Sequence, residues 1–384
     1  MDKYANNKNT PLSTKPHYEI LDGLRGVAAV MVVIFHLFEA HSTSRFAQVI
    51  NHGYLAVDFF FVLSGFVIGY AYDDRWEKMT VGQFFRRRLI RLHPLVVMGM
   101  VIGAALFYVG GSAIFPLINE IPVWKLLVYM VLGIFMIPMP PSMDIRGWEE
   151  MYTLDAPSWS LFYEYIANIL YALFIRKFSK KALAVLVFLA ACAIIHLTLT
   201  TTGDVIGGWS FDAKHLRFGF TRLAYPFLAG LLLYRTGKII KIKHTFLWCS
   251  LLIITVLSIP RIGGSEHVFL NGLYESFCII IVFPLIVLLG VGGKIEGKKT
   301  SQICKFLGNI SFPLYITHYP IMYLYIGWIS DTHHTFVEAL PVALLVIVSS
   351  IVLAYICLKA YDEPVRRWLN KMNHILSTYR HIVK

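Results

Sequence analysis

Arg25 and His36 lie eleven residues apart in the first long apolar run of the chain, which opens Leu21-Asp22-Gly23-Leu24-Arg25-Gly26 and continues almost without polar interruption to His36. In a helix, eleven steps of about 100° return to within roughly 20° of the starting face. At ~1.5 Å per residue the two side chains stand about 16 Å apart along the axis. Such a helix carries a permanent cation near one end and a titratable imidazole deeper in, both turned the same way. Inside a membrane these groups are costly, and a role in binding or proton transfer is the default expectation. The alternative is structural: an arginine that snorkels to the water boundary, and a histidine bonded to a backbone carbonyl of a neighbouring helix.

The elements that must position this pair follow from composition. Of 384 residues, 57% are hydrophobic and 15% charged, and mean hydropathy is +0.62. That balance is expected of a polytopic membrane protein, because a soluble domain cannot keep so much apolar surface dry. The first twenty residues are polar and lack the apolar core of a signal peptide, so the first span is expected to belong to the mature protein. Cys192, Cys249, Cys278, Cys304 and Cys357 fall in or beside apolar runs with no C-x-x-C spacing. They read as small core residues; neither a disulfide nor a metal site is expected, and no bound cofactor.

The net charge of +12 is gathered into short basic clusters between the apolar runs, among them Arg86-Arg87-Arg88 with Arg91, Lys180-Lys181, and Arg366-Arg367. This is the positive-inside pattern. It assigns the charge to topology and leaves nucleic acid as a remote partner. Spans of about 20 residues are expected near 21–40, 54–72, 92–112, 158–175, 182–200, 218–234, 246–260, 273–291, 309–328 and 340–358. Ten crossings with both termini cytoplasmic satisfy every cluster. The apolar stretch 123–138 then reads as interfacial or re-entrant, and the acidic, proline-containing segment 138–157 faces outward. The expectation is an all-α membrane bundle: a cytoplasmic tail at 1–20, one transmembrane domain at 21–358, and a cytoplasmic tail at 359–384.

On this topology His36 lies in the outer half of the first span, and Asp58 lies about one turn from the outer end of the second. An antiparallel hairpin matches them in depth, and an aspartate beside a histidine would fix its tautomer and raise its basicity. A buried ion pair holding two helices together is the structural alternative. Glu164 is expected at comparable depth, to contact an acceptor, support the base or make a structural hydrogen bond. Ser64, beside Gly65, reads as a packing residue rather than a nucleophile. His318 falls mid-span, lining a pore or bonding between helices. Trp159 and the other tryptophans of the outer segments read as interfacial belt residues or, alternatively, as a sugar-stacking platform.

Six motifs in order resemble one family, the integral-membrane acyltransferase-3 proteins. They are Leu21-Asp22-Gly23-Leu24-Arg25-Gly26 through His36; Gly53-Tyr54-Leu55-Ala56-Val57-Asp58 running on to Ser64-Gly65-Phe66; and Arg88-Leu89-Ile90-Arg91-Leu92-His93-Pro94. Trp159-Ser160-Leu161-Phe162-Tyr163-Glu164, Leu307-Gly308-Asn309-Ile310-Ser311 through His318, and Tyr361-Asp362-Glu363-Pro364-Val365-Arg366-Arg367 complete the set. The resemblance implies O-acylation of bacterial surface glycans or related acceptors, with acyl-CoA, acetyl-CoA first, as the cytoplasmic co-substrate, in the inner (plasma) membrane. Arg25, Arg88 and Arg91 would bind the polyanionic donor, since guanidinium forks suit phosphate. His36 would act as general base or as transient acyl carrier.

Two other classes remain open at this stage. One is a transporter or flippase in which His36, Asp58 and Glu164 relay protons; neither an inverted repeat nor a matched pair of broken helices is visible in the sequence. The other is a silent scaffold subunit of a glycan-assembly complex.

Overall fold

The computed structural model describes residue 15 and residues 17–382. Among them every regular element is helical, apart from one isolated β-bridge between Ser112 and Phe115. In chain order the α-helices are α1 Glu19–Ala40, α2 Ala56–Tyr72, α3 Val81–Leu106, α4 Val123–Ile134, α5 Ser158–Leu173, α6 Lys180–Thr200 and α7 Ala213–Thr236. They continue as α8 Thr245–Ser258, α9 Val268–Phe277, α10 Phe283–Gly292, α11 Lys298–Thr317, α12 Tyr319–Thr332, α13 Phe336–Ile356 and α14 Glu363–Ile382. π-Helical turns at Cys278–Val282 and Cys357–Asp362 join α9 to α10 and α13 to α14.

Six helical stretches are long and apolar enough to cross a membrane: Glu19–Ala40, Gly53–Tyr72, Val81–Leu106, Lys180–Thr200, Val268–Gly292 and Phe336–Met372. The protein is therefore a multi-pass, all-helical membrane protein. Three expectations change in detail. The span expected at 309–328 is bent at His318, where α11 ends and α12 begins; Pro320 has no N–H to continue the ladder, and the amides of Ile321 and Met322 turn back onto the His318 carbonyl. Helix α3 begins at Val81, well before the expected 92, because Thr80 and Gln83 close a capping box. The segment 138–157 packs against the helices, and every residue from Glu150 to Ser160 is buried. The tail expected at 359–384 is helical and continues from α13 as far as Ile382; its last two residues, like most of the tail at 1–20, lie outside the described residues.

Helix α4 has 12 residues, about 18 Å of rise, too short for a ~30 Å hydrocarbon core. It packs against α3.

The largest interhelical interfaces are α1 with α11 and α2 with α7. The second depends on two glycines. A Cβ on Gly65 would lie 2.0 Å from the Phe227 carbonyl oxygen, and one on Gly230 would lie 2.0 Å from that of Val62. Backbone therefore meets backbone at the α2–α7 crossing, as small residues permit in membranes. This contact fixes the register that puts Asp58 opposite Arg222.

Candidate active site

Two cavities occupy opposite ends of α1. The larger, about 1200 Å³, is lined from that helix by Glu19, Asp22 and Arg25. The smaller, about 570 Å³, is lined from it by Val32, Phe35, His36, Glu39 and Ala40. The sequence pair thus divides, with the cation in one chamber and the imidazole in the other.

The larger chamber is cationic. Arg25 is held by three partners: its Nε donates to Ser311 Oγ at 2.7 Å, and its Nη2 donates to the Gly308 carbonyl at 3.1 Å and lies 3.3 Å from Asp22. Both α11 partners belong to the Leu307–Ser311 motif, which close packing brings up beside Gly26. Arg88 is buried and donates through Nη2 to Glu164 Oε1 at 2.6 Å; Ser64 Oγ donates to the same oxygen at 3.0 Å. Arg91 lines the chamber, is exposed to it and has no hydrogen-bond or ion-pair partner among the described residues. At the mouth α14 adds Arg366 and Arg367, so part of the segment expected to be a cytoplasmic tail helps form the wall.

The smaller chamber is aromatic and mixed in charge, with Glu39, Glu150, Arg45 and Arg222 all in its lining. His36 Nδ1 lies 2.7 Å from Glu39 Oε2 on the next turn of α1. Its Nε2 has no protein partner among the described residues. The ring stacks on His318 at 5.7 Å between centroids and meets the edge of Tyr319 at 4.9 Å. Trp148, Trp159 and Trp209 contribute to the walls. Glu150 also lines this chamber and accepts a hydrogen bond from the Tyr323 hydroxyl. Burial pushes its carboxyl up to about 8, against the pull of that bond and of Arg146 nearby.

Asp58 does not reach His36. Its two oxygens take the Arg222 guanidinium, Nη2 to Oδ2 at 2.7 Å and Nε to Oδ1 at 3.2 Å. Arg222 also donates to the carbonyls of Tyr54 at 2.8 Å and Gly207 at 3.2 Å. The α2–α7 crossing turns Asp58 toward α7 instead. Trp159 lies over Arg222, 5.2 Å from guanidinium carbon to ring centroid. His318 lines neither cavity: it is fully buried, its Nδ1 within 3.0 Å of the Leu314 and Tyr315 carbonyls of its own helix, while Nε2 has no partner. His36 and Glu164 line different chambers and Asp58 lines neither, so the three do not form a continuous relay. Sequence reasoning passed over Glu39, although His36-x-x-Glu39 is an i, i+3 pair on one helix face. It also passed over Arg222, which carried no signal beyond being a cation inside an apolar run.

This two-chambered membrane bundle falls in a recognised class. A family model described as an acyltransferase domain matches residues 18–359, and the chain belongs to that family, the acyltransferase-3 proteins, a class of acyl-transferring enzymes. Among individual relatives, "Protein 2 in picA locus" of Rhizobium radiobacter is 33% identical over 190 residues, covering 48% of this chain and 95% of that protein. Acyltransferase MdmB of Streptomyces mycarofaciens is 24% identical over 319 residues, 79% of this chain and 78% of its own. A Staphylococcus aureus (strain COL) protein named as an O-acetyltransferase is 24% identical over 323 residues, 79% of this chain. The present chain spans 50% of the length of that last relative. No solved structure gives a significant match.

Proposed function

We propose that this chain is a membrane O-acyltransferase that moves an acyl group, acetyl in the first instance, from cytoplasmic acyl-CoA to a hydroxyl of a glycan or glycolipid acceptor. The observation that carries the reading is the pair of chambers at opposite ends of α1, one lined by six arginines and the other by His36, Glu39 and tryptophans, with Arg45 and Arg222 as its two arginines. The polyphosphate of the donor suits the first, with Arg91 as the free guanidinium and Arg366 and Arg367 at the mouth. Sugar rings suit the second, where aromatic faces and carboxylates offer stacking and hydrogen bonds. Relatives named as an acyltransferase and an O-acetyltransferase support the reaction class.

His36 supplies the base. With Nδ1–H donated to Glu39, the neutral ring keeps its lone pair on Nε2, the nitrogen without a protein partner. In direct transfer Nε2 takes the acceptor hydroxyl proton while the oxygen attacks the thioester carbonyl carbon. The C–S bond then breaks, and the departing thiolate takes the proton from the imidazolium. In the carrier route Nε2 itself attacks that carbon, the C–S bond breaks and the thiolate leaves; the acceptor oxygen then attacks the acyl-imidazolium, the C–N bond breaks to restore the neutral ring, and the hydroxyl proton ends on the thiolate. Glu39 stabilises the positive ring in either route, and the stacked His318 ring offers its π face to it.

The test is transfer of labelled acetyl from acetyl-CoA in proteoliposomes, with donor binding measured in parallel. His36→Gln is expected to reduce transfer by on the order of 10²–10⁴-fold, the usual contribution of a general base, with donor binding retained. Transfer close to the unmodified level would overturn both routes.

A further inference from the structure

Among the described residues, Val57 and Tyr315 are the two that line both chambers. Everything that would hold the donor lies on one side of them, and His36 lies on the other. Tyr315 is the larger part of this partition, and it is held in place at three points. Its hydroxyl lies 2.8 Å from Ser160 Oγ. Because the single Ser160 proton is already given to the Pro157 carbonyl at 3.0 Å, Tyr315 is the donor of that bond. Phe60 packs edge to face against its ring, 5.4 Å between centroids. Its backbone carbonyl accepts from His318 Nδ1 at 2.9 Å, three residues ahead at the bend between α11 and α12. Ser160 in turn belongs to the buried stretch that runs in from the 138–157 segment.

We propose that Tyr315, pinned by Ser160, is a gate between the two chambers: closed, it keeps them separate, and turned aside it admits the acyl thioester to His36. This rests on the acyl-transfer reading for what passes through, but the partition itself does not. The ring blocks the passage, so its size also sets the width of acyl group that can cross. The hydroxyl makes one bond to a side chain, so a turn about χ1 and χ2 breaks that bond and the ring contacts with Phe60 and His318, and moves the ring into the space of the two chambers it borders.

A reporter cysteine at Ser64, in the cation-lined chamber, tests the partition without catalysis. A charged, membrane-impermeant thiol reagent is applied to each face of proteoliposomes in turn, and labelling is compared with protein lacking the Ser64→Cys change. With Tyr315 intact, labelling is expected from one face alone. With Tyr315→Ala it is expected from both faces, and with Tyr315→Phe or Ser160→Ala second-face labelling is expected to be about tenfold faster than with the native pair. Labelling from both faces while Tyr315 is intact would overturn the proposal. So would unchanged one-face labelling in Tyr315→Ala, or, if that variant does not fold, in both Tyr315→Phe and Ser160→Ala. A second readout joins the gate to chemistry: Tyr315→Ala is expected to raise transfer of branched acyl groups relative to acetyl at least fivefold, and an unchanged ratio would overturn the size-selecting part. Absence of any transfer in the unmodified protein would instead refute the acyl-transfer reading and leave the labelling result standing.

Discussion

Glu39 Oε2 lies 2.7 Å from Nδ1 of His36, one turn along the same helix. The carboxylate that orients the imidazole therefore comes from its own helix, whereas the depth-matched Asp58 is committed to Arg222. A partner at i+3 keeps its geometry with the ring however the neighbouring helices shift, which suits the role proposed for His36.

Glu39→Gln is accordingly expected to lower the turnover number for acetyl transfer roughly ten- to hundredfold. A hydrogen bond to a charged group is worth about 1.5–3 kcal/mol, and here that bond stabilises the imidazolium formed during reaction. The KM for donor should change little, because Glu39 does not line the donor chamber. Steady-state kinetics that showed the loss in KM alone would contradict the assignment.

Asp58 and Arg222 are expected to act on stability first. The pair is almost wholly buried, with side-chain exposure of 0% and 2%, and removal of one member of such a pair typically costs about 3–5 kcal/mol. Asp58→Asn and Arg222→Ala should each lower the melting temperature in detergent and the yield of monodisperse protein. The double change Asp58→Ala with Arg222→Met should recover much of the loss, since no unpaired charge stays behind. A melting temperature untouched by Arg222→Ala would show that the pair does not hold α2 to α7.

The arginines of the donor chamber separate by their partners. Arg91 has none among the described residues, so Arg91→Ala is expected to weaken acetyl-CoA binding by roughly ten- to hundredfold, the cost of a charge-assisted phosphate contact, while melting temperature stays within about 1 °C. Arg88→Ala strands Glu164 beside Ser64 and is expected to lower stability and turnover together. Adding Glu164→Gln to Arg88→Ala should restore stability without restoring turnover. Binding isotherms and thermal melts on the same preparations check both statements; equal binding loss in the two alanine variants at unchanged stability would remove the distinction.

Much of the scaffold was legible because membrane helices announce themselves by uninterrupted apolar runs, and the six long stretches coincide with runs visible in the sequence. The chemistry-bearing residues were visible too, since ionisable groups stand out against such a background. Their pairing was less visible. Asp58 and His36 are expected at one depth, but depth does not set azimuth, and azimuth here comes from the Gly65–Gly230 crossing. The side of the membrane expected for 138–157 came from charge counting, which says nothing of how the segment packs; Arg146 anchors it, stacked 3.6 Å from the Tyr323 ring centroid and 5.1 Å from those of Phe107 and Phe115. A cation–π cluster of four residues so far apart in sequence has no local signature in the chain. Tyr315 was hidden for a related reason: nothing in Phe312-Pro313-Leu314-Tyr315 says that two cavities meet there.

Glu150, carried into the His36 chamber by that same segment, gives the protein a pH dependence whose sign can be worked out. Burial holds its carboxyl protonated in the folded state up to about pH 8, whereas in the unfolded chain it ionises in the ordinary carboxylate range near 4.3. Between those values the folded form binds a proton that the unfolded form has released, so folding stability falls as pH rises through the window. Below about pH 4 both forms are protonated and the residue adds no slope. Glu150→Gln keeps the shape and an oxygen to accept the Tyr323 hydroxyl, but it cannot titrate. The melting temperature of the variant minus that of the unmodified protein is therefore expected to climb steadily between pH 5 and pH 8. Thermal melts in detergent at pH 5, 6, 7 and 8 check this. A difference that stays constant would mean that Arg146 and Tyr323 hold Glu150 as a carboxylate throughout, with the chamber correspondingly more anionic toward its acceptor.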